Sequence, residues 1–216
     1  MPSILENVDG LIPPPETAVK MAPLLHPRSA TLKTGELVTV HPVVDGPSSL
    51  ASGLIDFLHA EFSAEIARGC TYPMEEPMER DKFAEYWFGT FAVVVLRGDT
   101  QLTATKEDWS QDCLGTFYIK PNYPGRCSHV CNAGFLTTSL ARGQGIGIAM
   151  GETYLEYAPK LGYKYSVFNL VFANNPASIR IWEKLGFSII GRVPKAARLA
   201  NSEEPVDALI YGRELA

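Results

Sequence analysis

The stretch Cys131–Gly147, CNAGFLTTSLARGQGIG, decides the fold of this chain. Its pattern predicts a strand that ends in polar residues, then a glycine-rich loop, then a helix that begins near Gly145. In such a unit several backbone N–H groups converge at the positive end of the helix dipole, and glycines allow phosphate oxygens to approach the backbone. The stretch therefore predicts a binding site for a phosphate-bearing ligand.

The spacing of the glycines argues against two common nucleotide-binding motifs. The Rossmann motif requires G-x-G-x-x-G, but Ile148 occupies the position of the third glycine after Gly143 and Gly145. An apolar strand also stands where that motif requires an acidic residue about twenty residues later. The P-loop requires Gly-Lys-Ser/Thr, and no such triplet follows. The loop Arg142–Gly147, RGQGIG, therefore belongs to a different motif.

The composition is that of an ordinary globular protein. The 216 residues fit one medium-sized domain, 46% of them are hydrophobic, and the net charge is −5, whereas nucleic-acid-binding domains are usually basic. No apolar run reaches membrane-spanning length, and the start MPSILENVDGLIPPPET lacks the basic and apolar segments of a signal peptide. We therefore expect a cytoplasmic protein without nucleic-acid or membrane partners, with its four cysteines reduced.

The first half of the chain predicts an irregular N-terminal arm, 1–30, followed by a single domain, 31–216. A hairpin with its turn at Thr34-Gly35 opens the domain. An amphipathic helix from Ser49 to about Ala67 and a second helix from Glu79 through Trp87 follow. Two strands are then expected, at 91–96 and 114–120.

The second half alternates helices and strands around the glycine loop. The helix after the loop is expected to end before or around Pro159, and Tyr165–Ala173 is so apolar that a central strand, buried on both faces, is expected. The helix from Pro176 to Leu185 is the best marked, because Asn175 suits its N-cap. With two final strands near 187–193 and 206–211, the pattern predicts one mixed α/β domain.

Two motifs make the chain similar to the GCN5-related N-acetyltransferase superfamily. The loop Arg142–Gly147 matches that superfamily's R/Q-x-x-G-x-G/A pattern, which binds the pyrophosphate of acetyl-CoA. Further along, Asn175-x-x-Ser178-x-x-x-Trp182-Glu-Lys-Leu-Gly-Phe resembles its second signature, N-x-x-A-x-x-x-Y-E-K-L-G-F. The resemblance implies a mixed central β-sheet flanked by helices, with two diverging central strands, and acetyl-CoA as co-substrate without a metal. The implied cofactor-binding residues are Phe135, Leu136, Arg142, Gly143, Gln144, Gly145, Ile146, Gly147, Asn175, Ser178 and Trp182.

A narrower resemblance covers residues 82–214. Blocks such as LGTFYIKPNYPGRCSHVCNAGF and YLEYAPKLGYKYSVFNLVF are similar to the fungal N-acetyltransferases of L-azetidine-2-carboxylate. The resemblance implies direct acetyl transfer, in a ternary complex, to a small cyclic imino acid such as azetidine-2-carboxylate or another proline analogue. It also implies a homodimer, a role in proline-analogue detoxification and oxidative-stress tolerance, and a mitochondrial pool as an alternative to the cytoplasm. The implied substrate-binding residues are Asn132, Asn169, Phe135 and Leu170, of which Asn132 and Asn169 are also the catalytic candidates.

The chain departs from the superfamily at both of its usual proton-transfer positions. Asn132 stands near the first signature where many members have a glutamate base, and Trp182 replaces the tyrosine acid of the second. Since a thiol of cysteine type has a pKa of about 8.5, the coenzyme A thiolate can leave without a strong acid. Our hypothesis is that Asn132 orients the amine in its neutral form while Asn169 helps to hold the substrate.

Some residues have competing interpretations. An unpaired buried amide costs about 1–3 kcal/mol, so Asn169 either contacts the substrate or is a structural amide that bridges to a neighbouring loop. Arg142 either pairs with a phosphate or is a solvated surface residue. Cys127, His129 and Cys131 alternate and would share one face of a strand, but they lack a fourth ligand for zinc.

Two other functions fit the same motifs. One is a protein, peptide or polyamine N-acetyltransferase, for which the acidic composition would suit a basic acceptor. The other is a non-catalytic acyl-CoA-binding sensor, which the missing glutamate and tyrosine keep open.

Overall fold

The computed structural model of the chain describes residues 12–215, which form an eight-stranded mixed sheet in the order β1-β2-β3-β4-β5-β6-β8-β7. All neighbouring strands are antiparallel except β5 and β6, which are parallel. The strands are β1 (Arg28–Thr31), β2 (Leu37–Val43), β3 (Phe91–Arg97), β4 (Cys113–Pro121), β5 (Val130–Thr137), β6 (Tyr165–Phe172), β7 (Ser188–Ala197) and β8 (Val206–Glu214). The predicted mixed α/β architecture is confirmed.

Helices cover both faces of this sheet. They are α1 (Glu16–Met21), α2 (Ser52–Ala67), α3 (Arg80–Phe88), α4 (Ile146–Lys160) and α5 (Pro176–Lys184). Side chains alternate between the faces of a strand, so Phe117 of β4 packs into the core under α4 and α5, whereas its neighbour Tyr118 packs into the core under α2 and α3. The sheet therefore separates two hydrophobic layers.

The local signals place most boundaries within a few residues. The amphipathic helix begins at Ser52 rather than Ser49, and α4 ends at Lys160, next to Pro159, as expected. Asn175 caps α5 by accepting a hydrogen bond from the Ser178 N–H at 3.1 Å. Residues 12–30 are more regular than an arm, because they contain α1 and the start of β1. The rest of the predicted arm, 1–11, lies outside the described residues, and the domain boundary stays a prediction.

The parallel strands β5 and β6 stay together only at their first residues. Their register pairs Val130 with Tyr165 and Cys131 with Ser166, and no further pair follows along these two strands. The buried hydroxyl of Tyr154, on α4, lies 3.0 Å from the Cys131 sulfur and 2.5 Å from the Ser166 hydroxyl. Tyr154 thus bridges the two strands at their last paired position, beyond which they diverge as expected.

The strand β6 contains an irregularity where it passes Asn169. Its register with β8 shifts between Phe168 and Val171, and both of these residues pack into the core under α4 and α5. Leu170 belongs instead to a small cluster with Phe172 and Leu199. An extra residue in a strand re-aims side chains, and this explains how an asparagine is accommodated in an otherwise apolar strand.

The bridge made by Tyr154 predicts a stability effect. In Tyr154→Phe the ring remains but the hydrogen bonds to Cys131 and Ser166 are lost, so the free energy of unfolding should fall by about 1–3 kcal/mol in urea denaturation. Tyr163→Phe is the matched control, because Tyr163 is buried in the same core and its hydroxyl makes no hydrogen bond recorded among residues 12–215. Equal effects of the two changes would contradict the proposed bridge.

Candidate functional site

The divergence of β5 and β6 opens a cavity of about 270 Å³, here called the gap cavity. Its walls come from the two strands, from the glycine loop, from the start of α5 and from the end of α2 with the segment after it. The lining residues include Ala133, Phe135, Leu136, Thr137, Phe168 and Val171 of the strands, Arg142 and Gly147 of the loop region, Asn175, Ser178, Ile181 and Trp182 at α5, and Glu65, Arg68, Thr71 and Tyr72. The cavity is therefore built from three separate stretches of the chain, 65–72, 133–147 and 168–182.

The glycine loop has the backbone geometry that anion binding requires. Gly143 (φ +77°) and Gly145 (φ +85°) adopt left-handed conformations that favour glycine. Gly145 is the N-cap of α4 and no side chain caps this end, so the first N–H groups of α4 lack a side-chain acceptor. The helix start can thus bind an anion through its backbone.

Arg142 is exposed, as its surface interpretation expects, but it is also held by an ion pair. Its guanidinium donates to the buried carboxylate of Glu65 at 2.8 Å, and the same carboxylate accepts from Arg68 and, at 2.5 Å, from Thr71. Two cations therefore surround one carboxylate in the wall of the gap cavity. A second carboxylate of α2, on Glu61, accepts from the N–H and the hydroxyl of Ser139, each at 2.7 Å.

Sequence reasoning missed this part of the site. The only signal was that Glu65 lies three residues after Phe62, on the apolar stripe of α2, where a charge is unexpected. Of the other predicted cofactor residues, Gly143, Gln144, Gly145 and Ile146 do not line the gap cavity. The Gln144 side chain donates to the Leu140 carbonyl at 2.7 Å, and Ile146 is buried in the core.

Aromatic rings and an amide form the α5 side of the gap cavity. The Trp182 ring lies 5.0 Å from the Phe135 ring and 4.4 Å from the Phe168 ring, centroid to centroid. Its indole N–H donates to the Ser178 hydroxyl at 2.8 Å, so Trp182 cannot replace the missing tyrosine acid. The Asn175 side-chain oxygen accepts a hydrogen bond from the Ser178 N–H. No hydrogen bond of the Asn175 NH₂ group is recorded among the described residues.

The surroundings of Asn169 match the interpretation of this residue as a structural amide that bridges to a neighbouring loop. Its NH₂ group donates to the side-chain oxygen of Asn122 at 2.7 Å, and the Asn122 NH₂ group donates back at 3.2 Å. Both amides are buried, and Asn122 directly follows β4, so the pair bridges β6 to a neighbouring loop.

Asn132 lies on the face of the sheet that α2 and α3 cover. Its side-chain oxygen accepts the Ala133 N–H at 2.7 Å, and β4 places Lys120 opposite it in the antiparallel register. The ammonium of buried Lys120 lies 4.0 Å and 4.3 Å from the ring centroids of Tyr86 and Tyr118. A buried cation next to Asn132 was not anticipated, although a lysine ending the apolar run FYIK was a visible signal.

A second cavity of about 400 Å³, here called the outer cavity, adjoins the first. It is lined by Leu170 and Phe172 of β6, by the segment after α2 and by the loop after β7. Leu170 therefore lies outside the gap cavity, whereas Phe135 lines it. Tyr72 contributes to the walls of both cavities.

The structure corrects one expectation about the cysteines. Because β5 begins only at Val130, Cys127 and His129 do not share a strand face with Cys131; both are exposed, whereas Cys131 is buried. Burial raises the pKa of the Cys131 thiol to about 12. Within residues 12–215 no group of three or more His, Cys, Asp or Glu side chains is arranged to hold a metal ion. Over the same range no helix combines the length and apolar character needed to span a membrane.

Known proteins resemble this chain in sequence and in fold. N-acetyltransferase aca1 of Schizosaccharomyces pombe is 45% identical over 153 residues, which are 68% of this chain and 73% of aca1. Protein SPT10 of Saccharomyces cerevisiae is 33% identical over 88% of this chain but only 36% of its own length. The fold matches a GNAT-superfamily phosphinothricin acetyltransferase from Sinorhizobium meliloti in complex with acetyl-CoA, with a TM-score of 0.65 and 18% identity over 83% of this chain and 89% of that one.

A family model gives the most direct assignment. The model of the acetyltransferase (GNAT) family matches residues 61–187, which is more than half of the chain and includes the end of α2, both diverging strands, the glycine loop and α5. Together with the relative that is 45% identical, this match shows that the chain belongs to the GNAT family of N-acetyltransferases.

Proposed function

We propose that this N-acetyltransferase transfers the acetyl group of acetyl-CoA directly to a small cyclic imino acid. The observation that carries the proposal is the gap cavity, which runs from the uncapped start of α4 along the open edge of β5. The aromatic and amide groups of α5 form one of its walls, and the end of α2, where Arg68 and Arg142 surround Glu65, forms another. The sequence similarity of residues 82–214 to imino-acid acetyltransferases supports the choice of acceptor.

Acetyl-CoA fits the gap cavity by backbone recognition. The pyrophosphate binds the N–H groups at the start of α4, next to Gly147, which lines the cavity. Beyond Cys131 the inner edge of β5 has no pairing with β6. The backbone groups of this edge other than the Ala133 N–H and the Phe135 carbonyl, which have side-chain partners, can bond an extended pantetheine arm as they would a neighbouring strand. The ring of Trp182 packs alongside this path.

Direct transfer in a ternary complex agrees with the position and the protonation of the cysteine thiols. An acetyl-enzyme formed on cysteine would need a reactive thiolate, but none of the four cysteines, all among the described residues, lines the gap cavity, and burial keeps Cys131 protonated at neutral pH. The amine nitrogen therefore attacks the thioester carbon itself, and the carbon–sulfur bond then breaks. The NH₂ group of Asn175 can donate a hydrogen bond to the leaving thiolate. Because amide side chains are not bases, the amine proton passes to water.

The surroundings of Asn132 suit an amine that carries a carboxylate. The ammonium of Lys120 makes this face of the sheet positive, which attracts an anion and disfavours a second cation nearby. The carboxylate of an imino acid would thus be held by Lys120, and the nearby positive charge would favour loss of the proton from its nitrogen. The neutral amine that results is the form that attacks the thioester. The homodimer and the role in detoxification and stress tolerance stay predictions from the resemblance, and the cytoplasmic location stays a prediction from the composition.

A panel of acceptors tests the proposed function. Thiol release from acetyl-CoA should be fast with azetidine-2-carboxylate and cis-4-hydroxyproline and at background with polyamines and peptides. Turnover of a polyamine or peptide in preference to the imino acids would favour the first alternative function. Tight binding of acetyl-CoA without turnover of any acceptor would favour the sensor.

Substitution of Gly147 tests the placement of acetyl-CoA. A Cβ atom at this position would lie 3.0 Å from the Ile181 side chain, so Gly147→Leu should obstruct the gap cavity and raise KM for acetyl-CoA about tenfold, or about 1.4 kcal/mol. Gly147→Ala is the graded control and should have a smaller effect. An unchanged KM in Gly147→Leu would contradict this placement, and an unchanged acceptor KM is expected in both variants.

Three asparagine variants separate substrate contact from structural support. Asn132→Ala should raise the acceptor KM about tenfold, through loss of a hydrogen bond worth about 1–1.5 kcal/mol, while the KM for acetyl-CoA stays unchanged. Asn122→Ala and Asn169→Ala each break the buried amide pair, so both should lower the free energy of unfolding by about 1–3 kcal/mol. If Asn169 contacts the acceptor, Asn169→Ala raises the acceptor KM well above the value for Asn122→Ala. Wild-type kcat/KM in Asn132→Ala and Asn169→Ala would exclude the catalytic assignment.

A further inference from the structure

The segment that follows α2 forms a wall of both cavities. Arg68 and Thr71 line the gap cavity, whereas Gly69 and Met74 line the outer cavity. Tyr72, between them in sequence, contributes to both. The side chain of Tyr72 therefore stands where the two cavities adjoin.

Tyr72 is held firmly at this place. Its hydroxyl donates to the Phe135 carbonyl at 2.9 Å, and its ring packs edge-on against the Phe62 ring at 4.8 Å between centroids. The preceding Thr71 is bonded to Glu65 at 2.5 Å. The side chain is 8% exposed, so its position is set by contacts on several sides.

The backbone before Tyr72 is anchored from the opposite side. The Gly69 carbonyl accepts the Ala200 N–H at 3.0 Å, and a Cβ atom on Gly69 would lie 2.9 Å from the Ala200 Cβ. Gly69 also has a left-handed φ of +67°. The segment after α2 is thus hydrogen-bonded to the loop after β7 through Gly69 and to the open edge of β5 through Tyr72.

The hydroxyl of Tyr72 occupies an edge position that β6 would fill in a continuous sheet. Phe135 lies beyond the last pairing of β5 with β6, at Cys131 and Ser166, yet its carbonyl already has a partner in Tyr72. Burial and the charge of Glu65 raise the pKa of Tyr72. The hydroxyl therefore stays protonated at neutral pH and remains a donor, so it cannot act as a base.

We propose that the side chain of Tyr72 is a partition between the acetyl-CoA cavity and the acceptor cavity, and that it is a specificity-determining residue of the enzyme. It limits the size of the acceptor that can approach the thioester and keeps water away from it. The inference rests on the proposed function, which places acetyl-CoA in the gap cavity, lined by Phe135; the ring of the acceptor then extends towards the outer cavity, lined by Leu170, and Tyr72 stands between the two cavities.

Loss of the partition has two consequences. The two cavities merge, so a bulkier amine fits beside the thioester. Water also gains access: its oxygen bonds to the thioester carbon, the carbon–sulfur bond breaks, and acetate and the coenzyme A thiol form. Of the two protons of that water, one ends on the sulfur and the other is released to solvent with the acetate.

The experiment compares Tyr72→Ala, Tyr72→Phe and Met74→Ala with the wild-type protein. Met74→Ala is the matched control, because it enlarges the outer cavity alone. Three quantities are measured: the Kd of acetyl-CoA, the release of thiol without any acceptor, and the ratio of kcat/KM for trans-4-phenylproline to that for azetidine-2-carboxylate. Thermal unfolding checks that each variant is folded, and Tyr72→Leu replaces Tyr72→Ala if the latter does not fold.

In Tyr72→Ala we expect thiol release without acceptor to rise at least about fivefold and the ratio to shift at least about tenfold towards the bulkier imino acid, as is typical when a pocket wall is removed. Tyr72→Phe keeps the ring and should keep the wild-type ratio, and Met74→Ala should not increase hydrolysis. The partition is overturned if folded Tyr72→Ala binds acetyl-CoA with wild-type hydrolysis, or if Met74→Ala changes both quantities as much. The hydrolysis measurement needs no acceptor, so it decides the role of Tyr72 even if the imino-acid proposal fails.

Discussion

The separation of β5 from β6 is the constraint on which the rest of this structure depends. Two parallel strands that start in register lose their pairing after Cys131 and Ser166, and backbone groups that leave a sheet inside a protein need other partners. Tyr154 bonds the strands at the last paired position, and Tyr72 takes over the carbonyl of Phe135 further along. The open edge between these two tyrosines forms a wall of the gap cavity.

Charge in the gap cavity is arranged around one buried carboxylate. Glu65 accepts hydrogen bonds from Arg68, Thr71 and Arg142, so the helix α2, the segment after it and the glycine loop meet at a single group. An isolated buried carboxylate is costly, but one surrounded by two guanidinium groups is compensated and leaves a positive excess. That excess suits a cavity that takes a polyanionic ligand.

Two asparagines that are similar in the sequence have different surroundings in the fold. Asn169 sits at a register shift of β6 and is paired with Asn122, 47 residues earlier in the chain. Asn132 sits in the regular part of β5, lies opposite Lys120 of β4 and accepts a hydrogen bond from the N–H of Ala133. The first environment bridges β6 to the loop after β4, and the second places a charged and a polar side chain together on the face of the sheet that α2 and α3 cover.

The sequence by itself determined the features whose causes are local. Left-handed glycines at 143 and 145, the cap by Asn175 and the apolar run of β6 depend on neighbours in the chain, and all were predictable. Only the tertiary structure decided which polar side chains face the cavities. Arg142 meets Glu65 across 77 residues and Tyr72 meets Phe135 across 63. Such contacts depend on which strand edge stays unpaired and which helix covers it, and neither is encoded in the spacing of nearby residues.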